Sequence, residues 1–238
     1  MSNSQREAMP NGQGAAARAD ELIRRLVLEG FYPPGARISD LKLSQQLGVG
    51  RMHVRESFQR LAKDGVLTTI PNRGTFVTSL DSGQVAELLE VREAIEVEAV
   101  RLAAQRATPK DLSPLRELIE VSRLALVRHG GAYPMDLDFH EGLVALAGNK
   151  RLATISHEIN TLLRLARARA GTKLKRWHES IQEHSDILSA IDSRDFKKAE
   201  SVMRHHLAMS RRALHPEVSA GTASADSGPA SSSNAPDA

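Results

Sequence analysis

Apolar residues recur with helical spacing over most of the chain. Leu22, Ile23, Leu26 and Val27 form one stripe between Asp20 and Gly30, which predicts a helix there. Tyr32-Pro33-Pro34-Gly35 follows as a turn. Two short helical segments come next. The first carries Leu41, Leu43 and Leu47, with Ser39 placed to cap it; the second carries Val54, Phe58 and Leu61 at spacings of four and three. Gly48-Val49-Gly50 joins them, and a glycine-containing turn of this length between two helices is the mark of a helix-turn-helix. After Gly65 the helical period is lost. Val66 to Ile70, the turn Pro71-Asn72-Arg73-Gly74, and Thr75-Phe76-Val77 predict strand, tight turn and strand. Residues 18–80 therefore form a winged helix-turn-helix.

From Asp81-Ser82-Gly83 onward nothing has the pattern of a strand. Six helical segments follow, over about Gln84–Arg106, Pro109 to Gly130, Pro134–Ala147, Lys150–Ala170, Lys173–Ile191 and Asp195–Ala213. Thr108-Pro109 opens the second with a cap and a proline at the first helical position. The expected fold is mainly α: the winged domain, then an antiparallel six-helix bundle over residues 81–215. Residues 1–17 and 216–238 are rich in Ser, Ala, Gly, Asn and Pro and are expected to be disordered.

The chain has no cysteine, which excludes disulfides and thiolate metal sites and suits a reducing, cytoplasmic setting. No apolar run approaches a membrane span and no signal-peptide core is visible, so no membrane partner is expected. Net charge is only +3, but it is uneven. Residues 18–80 hold ten Lys or Arg against six Asp or Glu, the excess that contact with phosphates would want.

The second short helix opens with Arg51-Met52-His53-Val54-Arg55. Arg51 and Arg55 are four apart and share a face beside the buried stripe. Arginine near the N-terminus of such a helix reaches guanine O6 and N7 in the major groove. The expected DNA-facing set is Arg51, Met52, His53 and Arg55 on this helix, Lys42 and Ser44 on the one before, and Asn72, Arg73 and Gly74 in the wing.

The helical bundle carries polar residues on inner faces. Asp136 and His140 line up with Leu143, Val144 and Ala147; His184 continues the stripe of Trp177, Ile181 and Leu188; His206 continues Ala199, Val202 and Met203. One carboxylate and three imidazoles buried together need a shared explanation, because each alone costs desolvation energy. Two stand open: a divalent metal with positions left for water or ligand, or a hydrogen-bonded buried cluster. Arg92, Arg164 and Arg167 are candidates to clamp a carboxylate ligand, against the plainer reading of salt bridges.

Pro34-Gly35, the run Leu43 to Glu56, Leu61, Asp64 to Leu67, and Pro71 to Gly74 resemble the N-terminal domain of GntR-type transcriptional regulators. Gly50, Met52, His53, Ser57 and Phe58 depart from that family's pattern, while both arginines are kept. Arg92-Glu93-Ala94-Ile95-Glu96, Asp136-Leu137-Asp138-Phe139-His140, Gly148-Asn149, Glu183-His184 and His206-Leu207 resemble the FCD ligand-binding domain of the FadR-like branch, in its shorter, VanR-like form. The resemblance implies a divalent metal on Asp136, His140, His184 and His206, with zinc foremost and nickel, manganese or iron as alternatives. It further implies a small carboxylate or sugar-acid effector with Arg92 and Arg164 near it, a homodimer on a pseudo-palindromic operator, and a repressor rather than an enzyme. The rival is a metal-dependent hydrolase fused to a DNA-binding module, against which stands the lack of a separate general base beside the four residues. A metal-bound imidazole must be neutral, so affinity is expected to fall below a histidine pKa of roughly 6.5.

Overall fold

The computed structural model describes residues 13–129, 136–167 and 174–214. The first unit consists of α1 (Gln13–Leu28), β1 (Arg37–Ile38), α2 (Asp40–Leu47), α3 (Arg51–Lys63), β2 (Leu67–Ile70) and β3 (Gly74–Val77). Ala19, Ile23 and Val27 of α1, Leu43 of α2, and Val54, Phe58 and Leu61 of α3 close on Val66, Leu67 and Val77 to make its core. Ser39 caps α2 by accepting a hydrogen bond from the Lys42 amide, and Gly48, in the left-handed conformation, ends it. The strands run antiparallel in the order β1-β3-β2, with Ile70 paired to Gly74 across the wing tip. Pro71 and Asn72, the latter at φ 60, fit the central positions of a type II turn closed by Arg73 N–H to Ile70 C=O.

Three features differ from the pattern along the chain. Leu41 is half exposed and does not join Leu43 in the core, because residues two apart on a helix point to nearly opposite sides. β1 was not legible: two residues show no alternation, and the pairing comes from β3. Helix α1 begins at Gln13, inside the stretch expected to be disordered, since Ala15, Ala16 and Ala17 are strong helix formers. Residues 1–12 and 215–238 lie outside the described residues, as do the expected helical ends at Pro134, Ala170 and Lys173.

The second unit is helical: α4 (Ser82–Arg106), α5 (Pro109–His129), α6 (Asp136–Leu146), α7 (Lys150–Arg167), α8 (Leu174–Asp192) and α9 (Phe196–Leu214). Helix α4 is the axis, packed against α6, α7, α8 and α9. Its start is a reciprocal cap in which Asp81 accepts from the Gln84 amide at 2.8 Å while Gln84 accepts from the Asp81 amide at 3.0 Å. At its other end the Arg194 guanidinium donates to the Ala104 and Gln105 carbonyls, at 3.0 and 2.9 Å. Among the described residues no helix is long and apolar enough to cross a membrane.

Asp81 fixes where the wing ends and the axis helix begins. Asp81→Ala is expected to cost about 1 kcal/mol in urea unfolding. Asp81→Asn should cost much less, and equal losses would deny the cap its role.

Candidate functional site

The winged unit presents a groove between its sheet and the helices α2 and α3. Its lining includes Arg37, Lys42, Arg51, Arg55, Asn72 and Gly74. Arg51 and Arg55 project outward from the first turns of α3, beside the buried Val54 and Phe58. Both answer to one carboxylate. Asp40 accepts from Arg51 Nε at 2.9 Å and Nη2 at 3.2 Å, and its Oδ2 lies 4.0 Å from Arg55 Nε. The hydrogen bond from Arg51 holds the Asp40 carboxyl below its ordinary range. Asp40 and Arg37 were missed from sequence. Eleven positions separate Asp40 from Arg51, and only the packing of α2 on α3 brings them together.

The rest of the expected DNA-facing set divides. Lys42, Asn72 and Gly74 line the groove, Met52 is fully outward with 71% of its surface exposed, and Arg73 is exposed at the wing tip. Gly74, at φ 110, lets the wing approach Arg37: a Cβ there would stand 3.0 Å from the guanidinium. Ser44 is turned to another task, donating from Oγ to the Val49 carbonyl at 2.7 Å and bracing the turn. His53 is half-buried, packs under Gly50, and holds Nδ1 3.6 Å from Glu56, so its ring serves the inner side of α3.

In the helical unit the four inward polar residues meet. Asp136, His140, His184 and His206 are all buried, and one donor atom from each lies within 4.8 Å of the others. Nε2 of His206 is 3.0 Å from Nε2 of His140 and 3.4 Å from Nε2 of His184, and His184 Nε2 is 3.5 Å from Asp136 Oδ1. Phe139 stacks on the His184 ring at 3.8 Å between centroids. Two carboxylates stand behind the imidazoles: Glu96 Oε2 lies 2.7 Å from His140 Nδ1, and Glu183 Oε2 lies 2.7 Å from His206 Nδ1. Arg92 Nε holds Glu96 at 2.8 Å, and Arg176 grips both oxygens of Glu183 at 2.8 Å. Neither Glu96 nor Glu183 was singled out as part of the site from sequence.

These contacts bear on which way the lone pairs face. A neutral histidine that gives its Nδ1 proton to a carboxylate has a bare Nε2. His206 is so placed, with Nδ1 hydrogen-bonded to Glu183 Oε2 at 2.7 Å. His140 Nδ1 stands 2.7 Å from Glu96 Oε2 outside hydrogen-bond geometry, and its Nε2 lies 3.0 Å from that of His206. With both rings in the Nδ1–H form, a hydrogen bond between the two Nε2 atoms would need an extra proton. Burial first, and then the nearby Arg92, push His140 down to about 4, although Glu96 pulls the other way. Burial first, and then the neighbouring His206, push His184 well below the ordinary histidine value. Burial raises the carboxyls, but charged partners outweigh it. Arg92 and His140 bring Glu96 to about 2; hydrogen bonds from His206 and Arg176 bring Glu183 to about 2; Arg167 and the imidazoles hold Asp136 well below its usual range. At neutral pH the site thus offers the neutral rings of His140 and His184 and an ionised Asp136. That donor set fits a divalent cation of the nitrogen- and oxygen-loving kind and fits a closed hydrogen-bonded cluster poorly.

The arginines fall differently from expectation. Arg164 pairs with Asp138 and Glu141, partly exposed on the far side of α6, and does not face the cluster. Arg167 pairs with Asp136 Oδ2, while Ser180 Oγ donates to Oδ1 at 3.0 Å. Arg92 is fully buried, and among the described residues both of its terminal nitrogens lack a hydrogen-bond partner. A cleft lined by Asp136, Arg167, Arg176, Trp177, Ser180 and Ser210 opens beside the cluster.

The low values move the expected pH window. His140 and His184 stay neutral in the folded chain while unfolded histidine protonates near 6.5. The unfolded state then binds more protons, so the metal-free protein should lose stability as pH falls from about 6.5 toward 4. Proton competition for the cluster should likewise set in well below the roughly 6.5 expected from sequence. Thermal midpoints of chelator-treated protein across this range check the sign, and a midpoint that rises on acidification would contradict it.

Comparison with known proteins agrees with this geometry. Residues 15–77 match the model of the bacterial regulatory proteins of the gntR family, and residues 87–209 match the FCD domain. The Nta operon transcriptional regulator of Aminobacter aminovorans is 34% identical over 73% of this chain and 82% of its own length. The HTH-type transcriptional repressor RspR of Escherichia coli K12 is 27% identical over 78% of this chain and 82% of its own. Among solved structures, Escherichia coli McbR/YncC superposes with a TM-score of 0.75 at 20% identity, covering 86% of this chain and 98% of that one. A GntR regulator from Rhodococcus sp. RHA1 gives 0.76 at 21%, covering 86% and 99%. The recognition helix with its wing and the buried histidine cluster behind it are the two halves of one design, and the chain belongs to the gntR family of bacterial transcriptional regulators, with an FCD domain as its second unit.

Proposed function

We propose that this regulator is a metabolite-responsive repressor whose affinity for its operator is set by a small carboxylate bound at a metal site in the helical domain. The observation that carries the reading is the convergence of the Nε2 atoms of His140, His184 and His206 beside Asp136 in a buried cluster with Glu96 and Glu183 behind it. Asp136, His140, His184 and His206 are the residues that would hold the ion, zinc foremost by donor type. When bound, such an ion would offer open coordination positions and positive charge to an incoming acid.

The chain's own cations support the carboxylate. Arg92 has two buried terminal nitrogens with no partner among the described residues, a costly state that an anion relieves. Arg167 and Arg176 line the cleft beside Asp136. Arg164, engaged by Asp138 and Glu141, is not assigned this role. The name of the relative RspR supports repression. Domains follow the same reading: residues 18–80 for DNA, 81–215 for the effector and for pairing of two copies. A dimer is proposed because one short recognition helix reads too few base pairs, and a two-fold pair matches a pseudo-palindromic operator.

Titrating small carboxylates and sugar acids into zinc-loaded protein on an operator duplex, with fluorescence anisotropy as the readout, tests the proposal. Release of DNA by one acid with the zinc, and no release without it, is expected. Indifference of DNA binding to zinc and to every acid would overturn it.

Two further outcomes follow from the same residues. His184→Ala should abolish stoichiometric zinc in elemental analysis, and Glu96→Gln should weaken it by about 10–100-fold, as loss of a carboxylate behind a metal-bound histidine does. On DNA, Arg51→Ala and Arg55→Ala should each cost about 1–3 kcal/mol on a duplex selected from a random library. They should cost much less on random DNA. Arg73→Ala should weaken both alike and flatten the salt dependence.

A further inference from the structure

Helix α7 belongs to two cores. Ile159 and Leu163 pack inside the helical domain with Val85, Leu89 and Ala99 of α4 and Val144 of α6. Leu165, only 1% exposed, is a member of the winged domain's core beside Ile23, Val27, Leu61 and Val66, and Leu162 packs on the same cluster. The approach is close. A Cβ on Gly65, in the turn between α3 and β2, would stand 3.1 Å from Leu162 Cδ2, and Gly65 holds φ 73 there. Two residues beyond Leu165, at the last turn of the same helix, Arg167 pairs with Asp136 Oδ2. The residue that positions one carboxylate of the buried cluster therefore shares a single helical turn with the wedge that enters the DNA-binding core.

We propose that α7 is the mechanical link between the two domains, with Arg167 as its positioning residue at the cluster and Leu165 and Leu162 as its contact with the winged helix. The inference deepens the function proposed above and rests on the cluster being the sensing site. Arg167 is the group a ligand would disturb. It lines the cleft, it is held by one carboxylate oxygen, and a competing carboxylate in the cleft would draw it from Asp136. Helix α7 is continuous from Lys150 to Arg167, and close-packed helices transmit such a shift as a small rigid movement rather than absorbing it. The receiving surface is α1 and the α3–β2 turn, which sit directly under the recognition helix. Linkage makes the coupling reciprocal: a change at Leu165 itself must also change the affinity of the cluster for its ion.

Two measurements on the full chain test this. In chelator-treated protein, hydrogen–deuterium exchange is compared between wild type, Arg167→Gln and Arg167→Lys. Arg167→Gln should speed exchange about fivefold or more at Ile23, Val27 and Val66, none of which pairs with Arg167, and Arg167→Lys should restore most of the protection. Faster exchange confined to α6 and α8 would overturn the link. In the second arm, zinc affinity is measured by competition with a chromogenic chelator. Leu165→Ala should weaken zinc by about fivefold. Leu43→Ala, which damages the same winged core from α2, should leave zinc affinity unchanged. Equal effects of the two, or none from Leu165→Ala, would also overturn it. Should wild type bind no zinc, the metal reading fails, and the exchange arm in metal-free protein still decides the link.

Discussion

A buried imidazole can satisfy one nitrogen with a carboxylate and turn the other inward, and here the Nε2 atoms of His140 and His184 both stand close to that of His206. That constraint organises the helical domain. Glu96 and Glu183 stand behind His140 and His206, and Arg92 and Arg176 stand behind those carboxylates, so charge is balanced outward in shells. The groups come from five helices: α4 gives Arg92 and Glu96, α6 gives Asp136 and His140, α7 gives Arg167, α8 gives Arg176, Glu183 and His184, and α9 gives His206. Burying so many polar groups without mutual pairing would cost several kcal/mol each. The bundle is thereby tied to one arrangement of its helices.

The DNA-binding half follows a different logic. Its arginines are exposed, and their energies come from water-accessible charge rather than desolvation. Asp40 draws Arg51 and Arg55 toward one point at the mouth of the groove, trading some attraction for phosphate against a fixed direction for the guanidinium forks. The two halves meet through α7. Because that helix is shared between cores, movement at the cluster has a short, well-packed path to the surface that reads DNA.

Much of this was legible in the sequence because it is periodic. Val54, Phe58 and Leu61, and the stripes that carry Asp136, His140, His184 and His206, obey the helical repeat, and burial follows from it. The structure places those four residues where their spacing puts them. What stayed hidden depends on pairing across elements. Arg37 and Ile38 are a strand only because β3 lies beside them. Asp40 meets Arg51 only through the packing of α2 on α3, and Glu96 meets His140 only through that of α4 on α6. Arg164 and Arg167 are three positions apart on one helix. Sequence offered no means to tell that the first turns to Asp138 and the second to Asp136. Ser44 and His53 also show that polar residues around α3 have local partners of their own, the Val49 carbonyl for the first and Glu56 for the second.

Asp136, His140, His184 and His206 are proposed to hold a metal ion. Zinc-edge X-ray absorption on protein purified without chelator tests this most directly. The account expects one zinc per chain with imidazole nitrogens and carboxylate oxygen at about 2.0–2.2 Å, and multiple-scattering features from about three imidazoles. Protein without stoichiometric zinc, nickel, manganese or iron, or a bound ion whose shell holds no imidazole, would contradict it.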